Sequence, residues 1–153
     1  MSSDATTSPP ISPPPISIVI VDDEDSVRTG LRRLCEALGF RTTVYASGSE
    51  FVQSLHDGAT RPDCLLLDAH MPQMSGLEVQ RQLVDLGARV PTIVYTADDA
   101  PELRMRYLAA GVAAYLRKPI AGDDLIEAIE RVMRRPLPSS VDQRPTAGPS
   151  PRL

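Results

Sequence analysis

The sequence predicts an α/β fold, a doubly wound sheet of five parallel strands with helices on both faces. Three observations predict it. Apolar, β-branched runs alternate with stretches of helical spacing five times along the chain, at a repeat of roughly 20–25 residues. The first run, Ile16–Val21, is apolar and β-branched, the pattern of a strand covered on both faces, and the third, Cys64–Leu67, is apolar as well. The runs also lead into polar residues at their carboxyl ends, where open parallel sheets carry their ligand sites.

Each element has its own justification. Ile16–Val21 is the first strand, closed by Asp22-Asp23-Glu24-Asp25. Val27, Leu31, Leu34 and Leu38 then recur at helical spacing, and Gly39 stops that helix. Arg41–Tyr45 reads as the second strand and Glu50–His56 as a short second helix. Cys64–Leu67 is the third strand, ending at Asp68. The third helix is expected over Leu77–Leu86, with Leu77, Leu83, Val84 and Leu86 on its apolar face and Gly87 after it. Pro91–Tyr95 is the fourth strand, ending at Thr96, and Pro101–Ala110 the fourth helix, closed by Gly111. Ala113–Leu116 is the fifth strand, followed by Arg117-Lys118-Pro119. The last helix, Asp123–Arg134, places Leu125, Ile126, Ile129, Val132 and Met133 at helical spacing, with Asp123 or Asp124 as N-cap.

The chain has 153 residues, the size of one domain. Of its 15 prolines, five fall in residues 9–15 and five in 136–151. Residues 1–15 and 136–153 are therefore expected to be disordered Pro/Ser-rich tails around a domain at 16–135. A net charge of −4 argues against a nucleic-acid-coating or polybasic membrane protein. No apolar run approaches the roughly 18 residues of a membrane span, and the N-terminus is no signal peptide. Cys35 and Cys64 form neither a zinc motif nor a disulfide framework. They fit buried packing in a reducing cytoplasm. One of the 16 basic residues is lysine, Lys118, and the others are arginine.

The strand-end rule brings Asp22, Asp23, Asp68, Thr96 and Lys118 to one rim. Gathered carboxylates repel each other, and a hard divalent cation such as Mg²⁺ relieves that repulsion through oxygen ligands. Lys118 adds a compact ammonium that pairs with a carboxylate or phosphoryl oxygen, and Thr96 adds a hydroxyl donor. A nucleophilic Asp, a metal, a cation and a donor are the parts that hold an acyl phosphate. Each residue also has a plainer reading. The acidic run could cap the first helix, Asp68 could be a turn residue, Thr96 a strand former and Lys118 a solvated turn. Their joint placement, distributed over the ends of four strands, favours the chemistry.

These residues carry a family resemblance. Val19-Ile20-Val21-Asp22-Asp23-Glu24 resembles the first strand and acidic pair of a bacterial response-regulator receiver domain. Leu65-Leu66-Leu67-Asp68-Ala69-His70-Met71-Pro72, with Ser75-Gly76-Leu77-Glu78, resembles its phosphoacceptor segment. Ile93-Val94-Tyr95-Thr96-Ala97 resembles the hydroxyl motif, and Tyr115-Leu116-Arg117-Lys118-Pro119 the lysine–proline motif. The resemblance implies a flavodoxin-like (βα)5 fold. It makes Asp68 the acceptor of phosphate from a histidine kinase or phosphotransfer protein. Mg²⁺ would be held by Asp23 and Asp68 directly, by Asp22 largely through water, and by the backbone carbonyl of His70. Lys118 would pair with Asp68 and then with its phosphoryl group, while Thr96 would bind a phosphoryl oxygen. Tyr115 would be the aromatic switch, and Pro119 would follow a cis peptide bond.

Other residues keep two readings. His70 is a solvent-facing loop residue or, as the resemblance implies, shapes water access to the phosphate together with Asp98. Arg104 and Arg106 form a solvated face or a partner patch beside Tyr107 and Tyr115. The chain is expected to act as a stand-alone cytoplasmic switch that signals by protein contact through its fourth helix, fifth strand and fifth helix. It is expected to turn over no separate substrate and to bind no DNA directly, because the 18 residues after Arg135 are too few for a helix-turn-helix. A phosphorylation-linked dimer is among the assemblies the resemblance allows. Two rivals remain: a phosphate-independent binding module, and an Asp-nucleophile phosphatase of the haloacid-dehalogenase type. The latter wants Asp-x-Asp at the first strand, where this chain has adjacent Asp22-Asp23.

Overall fold

The computed structural model describes residues 15–98 and 100–134. The expected tails lie outside them, Pro15 excepted. The elements run β1 (Ser17–Val21), α1 (Asp25–Ala37), β2 (Arg41–Tyr45), α2 (Gly48–His56), β3 (Cys64–Asp68), α3 (Gly76–Asp85), β4 (Thr92–Thr96), α4 (Pro101–Ala109), β5 (Ala114–Arg117) and α5 (Gly122–Arg134). The five strands form one sheet in the order β2-β1-β3-β4-β5. Every pairing is parallel. The chain steps outward from β1 to β2, then crosses back to β3. The order therefore reverses at β1 and β3, and the crevice at such a reversal is where ligands bind.

Side-chain alternation divides the core between the two faces of the sheet. Ile18, Ile20, Leu66 and Ile93 face a cluster with Leu31 and Cys35 of α1 and Leu125 and Ile129 of α5. Val19, Val21, Leu67 and Val94 face the other, with Phe51 of α2, Val79 and Leu83 of α3, and Tyr107 of α4. β1, β3 and β4 are buried almost throughout, which explains their unbroken apolar runs. β2 lies at the sheet edge and is the most exposed of the five by residue pattern.

The helix starts show what the apolar spacing leaves out. The second and third helices begin earlier than expected because serines cap them. Ser47 Oγ accepts the Glu50 N–H at 3.1 Å. Ser75 and Glu78 form a reciprocal capping box, with bonds of 3.2 and 3.0 Å. Asp123 and Asp124 do not cap α5. They sit inside its first turn, where their charge complements the helix dipole. The acidic run does not cap α1 by side chain either: Glu24 occupies the N-cap position without such a bond. Val84, expected on the apolar face of α3, is 74 % exposed, and Val79 takes the core position instead. The 100° step between residues carries Val84 off the stripe defined by Val79 and Leu83.

Gly76 is required by close approach. A Cβ there would lie 2.5 Å from the Tyr107 hydroxyl and 3.1 Å from the Asp68 carbonyl oxygen. That hydroxyl is fixed, because it donates to the Ala69 carbonyl at 3.0 Å. Gly76→Ala should therefore lower stability by roughly 1–3 kcal/mol through overpacking. Urea unfolding would read this as a lower midpoint. Adding Tyr107→Phe, which removes the obstructing oxygen, should recover part of the loss.

Candidate functional site

The site is built where β1, β3, β4 and β5 end. Asp22 follows β1 and is fully buried, while Asp68 closes β3 at 4 % exposure. Exposed Asp23 completes the group: one carboxylate oxygen from each of Asp22, Asp23 and Asp68 lies within 4.8 Å of the others. Lys118, just beyond β5, places Nζ 3.5 Å from Asp68 Oδ1, 3.5 Å from Asp22 Oδ2 and 3.7 Å from Glu24 Oε1. The Lys118–Pro119 peptide bond is cis, as expected. Lys118 N–H donates to the Thr96 carbonyl at 2.9 Å, tying the fifth strand end to the fourth.

The Asp22 carboxylate is held on both oxygens. Oδ1 accepts the Glu24 N–H at 2.9 Å, and Oδ2 accepts the Tyr95 hydroxyl at 2.9 Å. Asp68 Oδ1 accepts the His70 N–H at 3.2 Å. Burial, and next the Asp22 charge, push Asp68 up to about 6, against the opposing pull of Lys118 and the His70 N–H. Burial disfavours the Lys118 ammonium, yet Asp68, Asp22 and Glu24 outweigh it and the pKa is raised. Lys118 is thus charged at neutral pH, and Asp68 is mostly ionised.

Thr96 is 1 % exposed, and its Oγ1 accepts the Asp98 N–H at 3.0 Å. At the mouth, exposed His70 Nε2 meets Asp98 Oδ2 at 3.2 Å, so these two residues are neighbours across the rim. Half-buried Tyr115 packs against Tyr107 with ring centroids 6.0 Å apart, and the Arg104 guanidinium carbon lies 5.7 Å from the Tyr115 centroid. Tyr107 is buried and forms no part of a surface patch; Arg104 and Arg106 are exposed. The buried cysteines carry thiols pushed up by burial, Cys35 to about 11 and Cys64 to about 12, which suits packing and not redox chemistry.

Two site neighbours escape the strand-end rule. Glu24, in the turn after β1, places Oε1 3.7 Å from Lys118 Nζ. Tyr95 reads as a strand residue, yet a phenol in an otherwise apolar strand needs a partner for its hydroxyl. That need was the available signal.

Residues 18–130 match the family described as response regulator receiver domain. The chain belongs to the response-regulator receiver family. This receiver domain is 37% identical over 124 residues to response regulator MprA of Mycolicibacterium vanbaalenii, covering 81% of this chain and 53% of that protein. It is 37% identical over 123 residues to response regulator MprA of Mycobacterium tuberculosis, again covering 53% of the relative. The chain thus spans about half the length of these curated relatives. Among solved structures it resembles a response regulator receiver protein from Burkholderia phymatum, with 41% identity and a TM-score of 0.71, covering 81% of this chain and 99% of that one. The crystal structure of FixJ-N gives 32% identity and a TM-score of 0.73, with 81% and 98% covered. The doubly wound five-stranded fold is that of the family. Among the described residues no helix is long and apolar enough to cross a membrane.

Proposed function

We propose that this receiver domain is a phosphorylation-controlled switch in which Asp68 accepts a phosphoryl group from a histidine kinase or phosphotransfer protein. The observation that carries the reading is the assembly of Asp22, Asp23 and Asp68 around one point with Lys118 beside Asp68. Three clustered carboxylates are hard oxygen donors whose repulsion a divalent cation relieves, so the residues present fit Mg²⁺. Asp22, Asp23, Asp68 and the His70 carbonyl would hold it. When bound, it supplies positive charge that neutralises the transferring phosphoryl oxygens.

The chain's own residues supply the rest. The known contacts of Asp68 fall on Oδ1, leaving Oδ2 to attack phosphorus. A phosphorus–oxygen bond forms, the phosphorus–nitrogen bond to the donor imidazole breaks, and the imidazole nitrogen keeps the electron pair. Lys118 stays beside the acyl phosphate and balances its charge. His70 and Asp98 stand at the mouth and govern how water reaches the product. The domain turns over no separate substrate; it acts in the cytoplasm by changing the face it offers to a partner protein. Incubation with acetyl phosphate and Mg²⁺ should add one phosphoryl group, mapped by peptide mass to Asp68. Labelling that ignores Mg²⁺, or maps elsewhere, would refute the proposal.

The output runs through Thr96. Thr96 and Val94 share one face of β4, and Tyr115 pairs with Val94 in the sheet register. Phosphoryl oxygens offer the Thr96 hydroxyl an acceptor that it reaches only by moving toward Asp68. That movement opens space for the Tyr115 ring beside α4, altering the surface of α4, β5 and α5. A charge-assisted bond of about 1.5–3 kcal/mol shifts such an equilibrium roughly tenfold to a hundredfold. Thr96→Ala should therefore still label on Asp68 but lose most of the beryllofluoride-induced NMR shifts in residues 101–119. Shifts as large as in wild type would show that the coupling bypasses Thr96.

A further inference from the structure

Tyr95 precedes Thr96 in β4 but points to the opposite face, and it is 0 % exposed. Its hydroxyl donates to Asp22 Oδ2 at 2.9 Å. The same oxygen lies 3.5 Å from Lys118 Nζ, which is also 3.5 Å from Asp68 Oδ1 and 5.3 Å from the centroid of the Tyr95 ring. One ammonium thus stands between two carboxylates, and one phenol touches both the ammonium and the rival carboxylate.

We propose that Tyr95 is a positioning residue of the acidic site, whose hydroxyl satisfies Asp22 with a neutral donor so that Lys118 stays with Asp68. The inference rests on the phosphoacceptor reading above. A buried carboxylate oxygen without a donor draws the nearest one available. The Glu24 N–H already serves Oδ1, so Lys118 is the nearest candidate for Oδ2. The two donors have different consequences. A hydroxyl fills the acceptor and leaves the carboxylate its negative charge, while an ammonium cancels that charge. Without the hydroxyl, Lys118 collapses onto Asp22. The acidic group then meets a cation with one negative charge fewer, and Asp68 loses the ammonium that balances its phosphoryl group. Burial pushes the Tyr95 phenol far up, with Asp22 adding to the effect, so the oxygen keeps its proton as a donor.

The test compares the full chain as wild type, Tyr95→Phe, Asp22→Asn and the double variant. Tyr95→Phe keeps the ring under Lys118 and removes only the hydroxyl. The first readout is the Mg²⁺ dissociation constant by titration calorimetry, and the second is the acetyl phosphate labelling rate at saturating Mg²⁺. Tyr95→Phe should weaken Mg²⁺ binding about threefold to tenfold, the reach of one hydrogen bond, and should slow labelling as well. In the Asp22→Asn background the carboxylate that the Tyr95 hydroxyl serves is gone, and Glu24, 3.7 Å from Lys118 Nζ, has no bond to that hydroxyl, so the same change should alter neither value by more than about twofold. An equal loss in both backgrounds, or none in either, overturns the proposal. A second measurement needs no variant: the buried Tyr95 hydroxyl proton should exchange slowly and shift when Mg²⁺ is added, and a signal unmoved by Mg²⁺ counts against the role. A wild type that binds Mg²⁺ and labels on Asp68, beside an unchanged Tyr95→Phe, refutes Tyr95 alone. A wild type that binds no Mg²⁺ refutes the phosphoacceptor reading with it.

Discussion

Asp68→Asn should reduce Mg²⁺-dependent labelling by acetyl phosphate to below detection. The side chain keeps its shape, and its amide oxygen can still accept the His70 N–H that Oδ1 accepts at 3.2 Å. What is lost is the nucleophile, because the oxygen of a neutral amide lacks the negative charge that makes a carboxylate oxygen attack phosphorus. Asp22 is a poor substitute, since both of its oxygens are held by donors in a fully buried setting. Asp23 is exposed and lies within the same cluster, so it is the residue to watch. Intact protein mass after incubation is the measurement, with Asp23→Asn run in parallel. The Asp23→Asn protein should still label, but at higher Mg²⁺. Stoichiometric labelling of the Asp68→Asn protein would place the acceptor elsewhere and undo the assignment of Asp68.

The fold was legible because its signals are local and repeated. β1, β3 and β4 are covered on both faces, so their sequences are apolar without interruption. Gly39, Gly87 and Gly111, expected as helix stops, all adopt positive φ. The strand ends placed Asp22, Asp68, Thr96 and Lys118 on one rim from the sequence alone, since a parallel sheet sends every strand's carboxyl end to the same side. What stayed hidden depends on distance across the fold. The Tyr95–Asp22 bond joins residues 73 positions apart, and no spacing rule reaches that far. Tyr107 is an example of a different kind. On α4 it sits among exposed arginines and reads as surface, yet its hydroxyl reaches the Ala69 carbonyl, 38 positions away. Val84 failed through geometry: an apolar residue next to Leu83 need not share its face, and here it turns to solvent. The helix starts lie outside the apolar spacing because capping sets them, and Ser75 with Glu78 spells a capping box that is legible in the sequence.

Metal-free Asp68→Asn protein should be more stable than wild type at neutral pH, and the difference should vanish toward pH 4. Asp68 has its pKa raised from 3.8 to about 6, by burial first and by the Asp22 charge next. A raised folded-state value means that the folded chain holds this proton more tightly than the unfolded one. The resulting stabilisation is fully present below the unfolded value and is lost as pH rises through the folded value, across a window of about pH 4 to 6. Above that window the ionised Asp68 burdens the metal-free fold by on the order of 3 kcal/mol. Asparagine carries no such burden at any pH. Its introduction strands no partner, because Lys118 keeps Asp22 at 3.5 Å and Glu24 at 3.7 Å. Lys118 has its own pKa raised from 10.5, so the stability it contributes is lost only above the range scanned. Other carboxylates protonate in both proteins, and comparing the two removes their contribution. Urea midpoints in a chelating buffer, taken from pH 4 to 7.5, would trace the difference. Mg²⁺ should narrow the gap between the two proteins. At ten times its dissociation constant it should stabilise wild type by about 1.4 kcal/mol, and at that same concentration it should do less for the variant, which lacks one ligand. A gap between the two proteins that stays constant from pH 4 to 7.5 would show that carboxylate repulsion at Asp68 is not stored in the metal-free fold.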